Sequence, residues 1–198
     1  MRVIAGKFRS RLLKSLKGLA LRPTSDRLRE TLFNVLADRV ADARFVDAFA
    51  GTGAVGIEAL SRGAREAIFI ENHVPAVALI RKNLQTLGIQ SLASVLGLDV
   101  LRGLQRMAAN PLATSSLIDI VFLDPPYAAA QEYRRVLTFL GAAPFLADGS
   151  LVIAEHRSCV ELPETFGNLW RVRVLRQGDA TLSFYRFTSN NLQAAPES

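Results

Sequence analysis

The chain has 198 residues, of which 49% are hydrophobic and 21% charged, and its formal net charge is +6. A chain of this length is most often one domain and can bury a sizeable core without crosslinks. Its single cysteine excludes a disulfide framework and a cysteine-based metal cluster, and we predict no metal site. No run approaches about 20 apolar residues, which predicts no membrane span. Residues 1–11 lack the apolar core of a signal peptide, which favours the cytoplasm.

The positive charge is concentrated at the amino terminus. Residues 1–30 hold nine of the 24 basic side chains but only two of the 18 acidic ones. The rest of the chain is therefore close to neutral. Such asymmetry indicates a polyanionic partner at this end, although a solubilising basic tail would carry the same charge. The candidate phosphate-binding residues are Arg2, Lys7, Arg9, Arg11, Lys14, Arg22 and Arg27.

The first part of the chain is predicted to fold differently from the rest. Residues 2–13 alternate apolar and basic side chains, a pattern that predicts a short β-hairpin. A helix capped by Thr24 or Ser25 is predicted to run to about Val40. The chain divides into a basic hairpin extension (1–22), a main domain (23–188) and a frayed tail (189–198).

Beyond this helix, strand patterns alternate with helix patterns. Strands are predicted at Arg44–Phe49, Ala67–Glu71, Ser94–Leu98, Ile118–Leu123 and Ser150–Glu155, and helices at Val55–Ser61, Pro75–Leu87, Asp99–Met107 and Gln131–Leu140. These strands are apolar runs, as expected when helices cover both faces of a parallel sheet. Trp170–Arg176 and Thr181–Phe187 alternate instead and predict an antiparallel hairpin. The fold class is therefore α/β, a doubly wound, mainly parallel twisted sheet ending in a hairpin.

A glycine-rich loop follows the first predicted strand. Gly51, Gly53 and Gly56 match GxGxxG, which also fits a dinucleotide-binding loop. Asp47 separates the two interpretations, because a carboxylate there would repel a pyrophosphate. The same carboxylate would favour the sulfonium and ammonium groups of S-adenosylmethionine. The loop therefore indicates S-adenosylmethionine as the cofactor.

Two more carboxylates end the second and third predicted strands. Glu71 is predicted to accept hydrogen bonds from the two ribose hydroxyls. Asp99 would accept from the adenine amino group or cap the helix that follows it, and these roles are compatible. The predicted cofactor-binding residues are Asp47, Phe49, Ala50, Gly51, Gly53, Glu71, Asn72, Asp99 and Val100.

The tetrapeptide Asp124-Pro125-Pro126-Tyr127 follows the fourth predicted strand, at the edge where α/β sheets bind ligands. The prolines remove backbone donors and leave the preceding carbonyls as acceptors. The Asp124 carboxylate and the Pro125 carbonyl would accept both hydrogens of an exocyclic aromatic amine and turn its lone pair towards the methyl group. Tyr127 would stack on the base. Because a base inside a helix cannot reach such a pocket, a flipped-out or single-stranded nucleotide is implied.

Together these motifs resemble class I S-adenosylmethionine-dependent N-methyltransferases of nucleic-acid amines. More closely, residues 4–11, 21–34, 47–64 and 122–127 are similar to the RsmD family, whose members methylate N2 of one guanine in bacterial 16S ribosomal RNA. The resemblance implies a Rossmann-like class I methyltransferase, that target atom, and 16S RNA or the assembling small ribosomal subunit as partner. The residues alone indicate only a base amine. Ser10 departs from the family, which usually has glycine there.

Several alternatives stay open at this point. A DNA adenine N6-methyltransferase would use the same tetrapeptide but usually needs extra recognition structure. A nicotinamide-dependent oxidoreductase would use the glycine loop, although Asp47 and Asp124 oppose it. A non-catalytic RNA-binding module is a third alternative, although such a module would not need Asp47, Glu71 and Asp124. Arg27 and Arg29 could hold an RNA phosphate or the cofactor's carboxylate, or lie on a solvated helix face. A monomer is expected.

Overall fold

The computed structural model describes residues 1–15, 25–109, 117–126 and 130–189. Within these ranges eight strands form one sheet in the order β3-β2-β1-β4-β5-β8-β7-β6. The strands are β1 (Arg44–Ala48), β2 (Glu66–Ile70), β3 (Ala93–Leu96), β4 (Ile118–Leu123), β5 (Leu146–Arg157), β6 (Thr165–Phe166), β7 (Leu169–Gln177) and β8 (Ala180–Phe187). β1 to β5 pair in parallel, and β8, β7 and β6 continue the sheet with antiparallel pairs.

Helices cover both faces of this sheet. In the described ranges they are α1 (Asp26–Leu36), α2 (Ala54–Ser61), α3 (Val74–Leu87), α4 (Val100–Ala108) and α5 (Ala130–Leu140). Alternate strand residues enter two hydrophobic clusters: Phe122 packs with the residues of α1, α2 and α3, and Val121 packs with those of α4 and α5. Both faces are therefore buried, which explains why the parallel strands are apolar runs.

The predicted elements of the main domain are confirmed, with shifted ends. The helix predicted to reach Val40 ends at Leu36, because Ala37 has a φ of 44° and a 3-10 turn follows. Ser25 supplies the cap, since its Oγ accepts a hydrogen bond from Leu28 N at 3.1 Å. The fifth strand is longer than predicted, Leu146–Arg157, because Leu146 pairs with Ile118 of β4 and the last two residues pair with β8.

The amino-terminal segment (residues 1–15) is not the regular hairpin predicted over residues 2–13. A single antiparallel bridge, between Arg2 and Leu12, closes a turn-rich loop. Val3 N and Leu13 N donate across the segment, to Arg11 O and Met1 O, whereas Lys7 N at its tip donates to Ser61 O of the main domain at 2.7 Å. The predicted domain boundary at residue 22 and tail residues 190–198 lie outside the described residues.

Candidate active site

The carboxyl edge of the sheet brings the predicted site residues together. The last residue of β1, Ala48, pairs with the last residues of both neighbouring strands, Ile70 of β2 and Leu123 of β4. The residues that follow them, Phe49, Glu71 and Asp124, therefore begin at one level of the sheet. This edge is where open α/β sheets bind ligands.

Backbone conformation explains the glycines of the loop. Phe49, Gly51 and Gly53 have φ values of 65°, 54° and 77°, a region that glycine enters without strain and phenylalanine does not. Gly56 is needed for another reason, because a Cβ there would lie 2.4 Å from Cε1 of Phe69. The loop glycines thus permit a left-handed turn, and Gly56 lets α2 approach the sheet closely.

Asp47, in β1, fixes the start of the helix that follows the glycine loop. It is 2% exposed, and its Oδ2 accepts a hydrogen bond from Gly56 N at 2.8 Å. Burial raises the pKa of this carboxyl to about 7, although the bond from Gly56 acts in the opposite direction. Asp47 therefore fixes the first turn of α2, and direct contact with the cofactor stays a prediction.

Glu71 joins the end of β2 to the loop. Its Oε2 accepts from Gly51 N and its Oε1 from His73 N, both at 2.8 Å. An ionised carboxylate has about four acceptor sites, so these two bonds leave capacity for ribose hydroxyls. Ala50 lies in the same loop, and its N donates to Ile70 O at 3.0 Å. The predicted ribose role is compatible with this geometry.

Asp99 caps α4, as one of its two predicted roles requires. Its Oδ1 accepts from Leu101 N at 3.1 Å and Arg102 N at 3.3 Å. Arg135 on α5 also reaches this carboxylate, at 3.2 Å. The Asp99 side chain is 40% exposed, and its contact with adenine stays a prediction. Of the other predicted cofactor residues, Val100 is buried and Asn72 exposed.

The proline tetrapeptide begins directly at the end of β4. Asp124 is half-buried, Pro125 is buried and Pro126 is exposed. The prediction that Tyr127 stacks on the base falls outside the described residues. Among the described residues, no group of three or more His, Cys, Asp or Glu could hold a metal ion.

The predicted phosphate-binding residues lie on the protein surface wherever the structure describes them. The exposed ones are Arg2, Lys7, Arg9, Arg11, Lys14 and Arg27, and Arg22 lies outside the described residues. The neighbouring Lys82 on α3 lowers the pKa of Lys14.

Glu58 on α2 is a residue that sequence reasoning missed. It is fully buried, its Oε2 accepts from Ile4 N at 2.8 Å, and its Oε1 accepts from Ala5 N at 3.0 Å and Arg62 Nε at 2.8 Å. The one sequence signal was a carboxylate within the otherwise mostly apolar run of residues 54–60. Glu58 docks the amino-terminal segment onto the helix that begins at the glycine loop.

Arg29 belongs to the same anchor. It is 0% exposed, its Nη2 donates to Arg2 O at 2.6 Å, and its Nε lies 3.8 Å from Oε2 of Glu58. The prediction of a solvated helix face or an RNA-phosphate contact is therefore wrong for Arg29, because its guanidinium is enclosed between α1, α2 and the amino-terminal segment. Arg27 is exposed, so its alternatives stay open.

Two further residues hold the amino-terminal segment. Ser61 Oγ accepts from Phe8 N at 3.0 Å. Asn83 on α3 accepts from Lys14 N at 2.9 Å, and its Nδ2 donates to Lys14 O at 3.2 Å and to Thr52 O at 3.4 Å. Because Thr52 belongs to the glycine loop, the basic segment and the predicted cofactor loop share an anchor.

Comparison with known proteins gives the family. Residues 1–186 match the model of a family described as "Conserved hypothetical protein 95". The chain is 36% identical over 186 residues to "Putative rRNA methyltransferase YlbH" of Bacillus subtilis (strain 168), covering 94% of this chain and 98% of the relative. It is 37% identical over 168 residues to "Ribosomal RNA small subunit methyltransferase D" of Escherichia coli (strain K12), covering 85% and 80%.

A solved structure is similar over nearly the whole length. "Putative methyltransferase yhhF from Escherichia coli" has a TM-score of 0.81 and 35% identity, covering 96% of this chain and 99% of that chain. This likeness confirms the predicted Rossmann-like α/β fold with its antiparallel carboxyl-terminal strands. The chain therefore belongs to the family described as Conserved hypothetical protein 95, and the resemblance to RsmD methyltransferases seen in its motifs is confirmed.

Proposed function

We propose that the chain transfers a methyl group from S-adenosylmethionine to the exocyclic N2 amine of a guanine in small-subunit ribosomal RNA. The observation that carries this proposal is the meeting of the glycine loop, Glu71 and Asp124 at one edge of the sheet. The names of the relatives support ribosomal RNA as substrate. The family resemblance supplies the guanine N2 atom, because the residues alone indicate only a base amine.

The charges at the loop fit a cationic cofactor. Two carboxylates bond to its backbone, Asp47 at Gly56 N and Glu71 at Gly51 N, both at 2.8 Å. In its ionised form Asp47 would repel a pyrophosphate there, which argues against a nicotinamide oxidoreductase. Bound S-adenosylmethionine would supply an activated methyl group on a sulfonium. Glu71 would hold the ribose hydroxyls, and the left-handed loop would let the backbone approach the cofactor closely.

Asp124 and Pro125 would prepare the amine. The lone pair of an aromatic amine is delocalised into the ring and is a poor nucleophile. Accepting its two hydrogens with the Asp124 carboxylate and the Pro125 carbonyl draws the nitrogen towards a tetrahedral shape. So turned, the nitrogen lone pair would accept the methyl group that a bound cofactor supplies, and the proton that the nitrogen then gives up would pass to the solvent.

The amino-terminal segment would hold RNA phosphates beside this site. Its exposed basic side chains stand on a loop that Glu58 and Ser61 fix to α2. A loop fixed in place before RNA arrives loses little conformational entropy on binding. The substrate is 16S RNA or the assembling small subunit, and we expect a monomer acting in the cytoplasm. No helix among the described residues has the length and apolar character to cross a membrane.

Methyl transfer tests this function directly. Labelled cofactor would be incubated with purified small-subunit RNA, bare and assembled with proteins, and with duplex DNA, followed by nucleoside analysis. We expect label in N2-methylguanosine from one of the RNA forms and none in DNA. Label in N6-methyladenine of DNA, or no label in any substrate, would contradict the proposal.

A further inference from the structure

Glu155 is a second carboxylate next to the proposed amine acceptor. β4 and β5 are parallel neighbours in which Leu123 pairs with Ala154, so the next residues, Asp124 and Glu155, follow side by side. Neighbouring strands lie about 4.8 Å apart. One position earlier, Phe122 pairs with Ile153, and both side chains enter the cluster under α1 to α3. Two positions on from Ile153, the side chain of Glu155 projects to that same face.

The fold holds Glu155 in a buried and fixed position. The residue is 3% exposed, and on its other side it pairs with the buried Leu182 of β8. An ionised carboxylate has about four acceptor sites, so it can accept a hydrogen bond from a substrate in addition to those from the protein. Its backbone is also fixed, since Tyr133 donates its hydroxyl hydrogen to Glu155 O at 2.8 Å. A carboxylate on a rigid strand beside a reaction centre suits recognition of a substrate edge.

The chemistry of the base defines what such a group would recognise. An acceptor pair at Asp124 and Pro125 suits the amine of adenine, cytosine or guanine equally. Guanine differs by the N1–H next to its amine, where adenine and cytosine present a nitrogen lone pair. An ionised glutamate only accepts hydrogen bonds, so it would bind the N1–H and repel those lone pairs.

We propose that Glu155 accepts the N1–H of the target guanine and makes the enzyme select guanine over bases whose ring nitrogen carries no hydrogen. The proposal rests on the proposed function, because it requires Asp124 to hold the N2 amine. Glu155 would then be a specificity-determining residue, one strand away from the residue that prepares the nucleophile.

Base analogues separate this role from a merely structural one. The target guanine in the RNA substrate would be replaced by 2-aminopurine or 2,6-diaminopurine, which keep the amine but have no N1–H. We expect the wild-type chain to prefer guanine by about 100-fold or more, since a site built for an N–H rejects analogues without it. In Glu155→Gln the side-chain amide can donate to the analogue's N1. We therefore expect slower guanine methylation and a guanine preference at least about tenfold smaller.

The control variant is Glu161→Gln, an exposed glutamate beyond the same strand, which should keep the wild-type preference. Thermal unfolding and cofactor binding would verify that Glu155→Gln is folded. A folded Glu155→Gln with the wild-type preference would overturn the proposal, and so would a wild-type chain that methylates 2-aminopurine as readily as guanine. If Glu155→Gln does not fold, Glu155→Asp takes its place: it sets the carboxylate back by one methylene, so a smaller guanine preference supports the proposal and an unchanged preference overturns it. If the wild-type chain does not methylate the guanine in the unmodified RNA, both the proposed function and this inference are overturned.

Discussion

At the scale of single residues, the site depends on carboxylates whose first partners are backbone N–H groups. Asp47 bonds to Gly56, Glu71 to Gly51, and Asp99 to the first turn of α4. Each carboxylate therefore fixes the backbone of a loop or of a helix start at the edge where a ligand would bind. Asp47 is the most deeply buried of the three.

The pKa of Asp47 makes stability depend on pH. Burial raises this pKa from 3.8 to about 7, so between these values the folded state binds a proton that the unfolded state has released. The contribution of Asp47 to stability is therefore present below about pH 4 and is lost as pH rises towards 7. In Asp47→Asn the neutral amide removes this dependence. We expect the stability of the variant relative to the wild-type chain to rise by roughly 2–4 kcal/mol from pH 4 to pH 8.

Urea unfolding at several pH values would measure this difference. Asp179→Asn, in the exposed turn between β7 and β8, is the matched control and should follow the wild-type curve. A constant difference between Asp47→Asn and wild type across the range would mean that Asp47 ionises normally in the folded state.

At the scale of elements, the amino-terminal segment is held in place by its contacts with α2. Gly6 has a φ of 82°, and a Cβ on it would lie 1.9 Å from Ser61 O. Gly6→Ala must therefore displace the segment from α2 while keeping every charge. We expect RNA affinity to fall about tenfold, or about 1.4 kcal/mol, because the phosphate-binding side chains lose their fixed orientation. Cofactor affinity should change much less.

Filter binding to small-subunit RNA and calorimetry with the cofactor would test this expectation. Gly178→Ala is a suitable control, since its φ is 59° but a Cβ there would meet nothing within 4 Å. Equal RNA affinity of Gly6→Ala and Gly178→Ala would show that docking of the segment does not matter for RNA.

The same segment shows where sequence reasoning ends. Apolar runs are local, so the parallel strands and the residues at their ends could be predicted. The partners of Ile4 and Ala5 lie on Glu58, more than fifty positions away, and alternation along residues 2–13 does not contain that information. Arg29 shows the same limit, because its burial depends on three elements packing around it. Motif residues at strand ends were predictable, whereas the anchors between elements were not.

At the scale of the whole molecule, charge and chemistry occupy different parts of the chain. The basic excess lies in residues 1–30, and the near-neutral remainder carries the carboxylates of the sheet edge. Replacing Lys7, Arg9 and Arg11 together by alanine should weaken RNA binding and make it less sensitive to salt. The slope of log affinity against log salt should fall by up to about 2–3, since each phosphate contact contributes about 0.7–0.9. RNA affinities at four salt concentrations would measure this slope. An unchanged slope would mean that these three side chains do not contact RNA phosphates.

The central claim is that methyl transfer takes place at Asp124 while the cofactor binds the neighbouring loop. The most direct test compares Asp124→Ala with wild type and with Asp179→Ala, measuring single-turnover transfer to small-subunit RNA and cofactor affinity on the same samples. We predict that Asp124→Ala loses roughly 10²-fold or more in transfer rate and binds the cofactor nearly as well as wild type, while Asp179→Ala keeps both properties. Full transfer activity in Asp124→Ala would contradict the account.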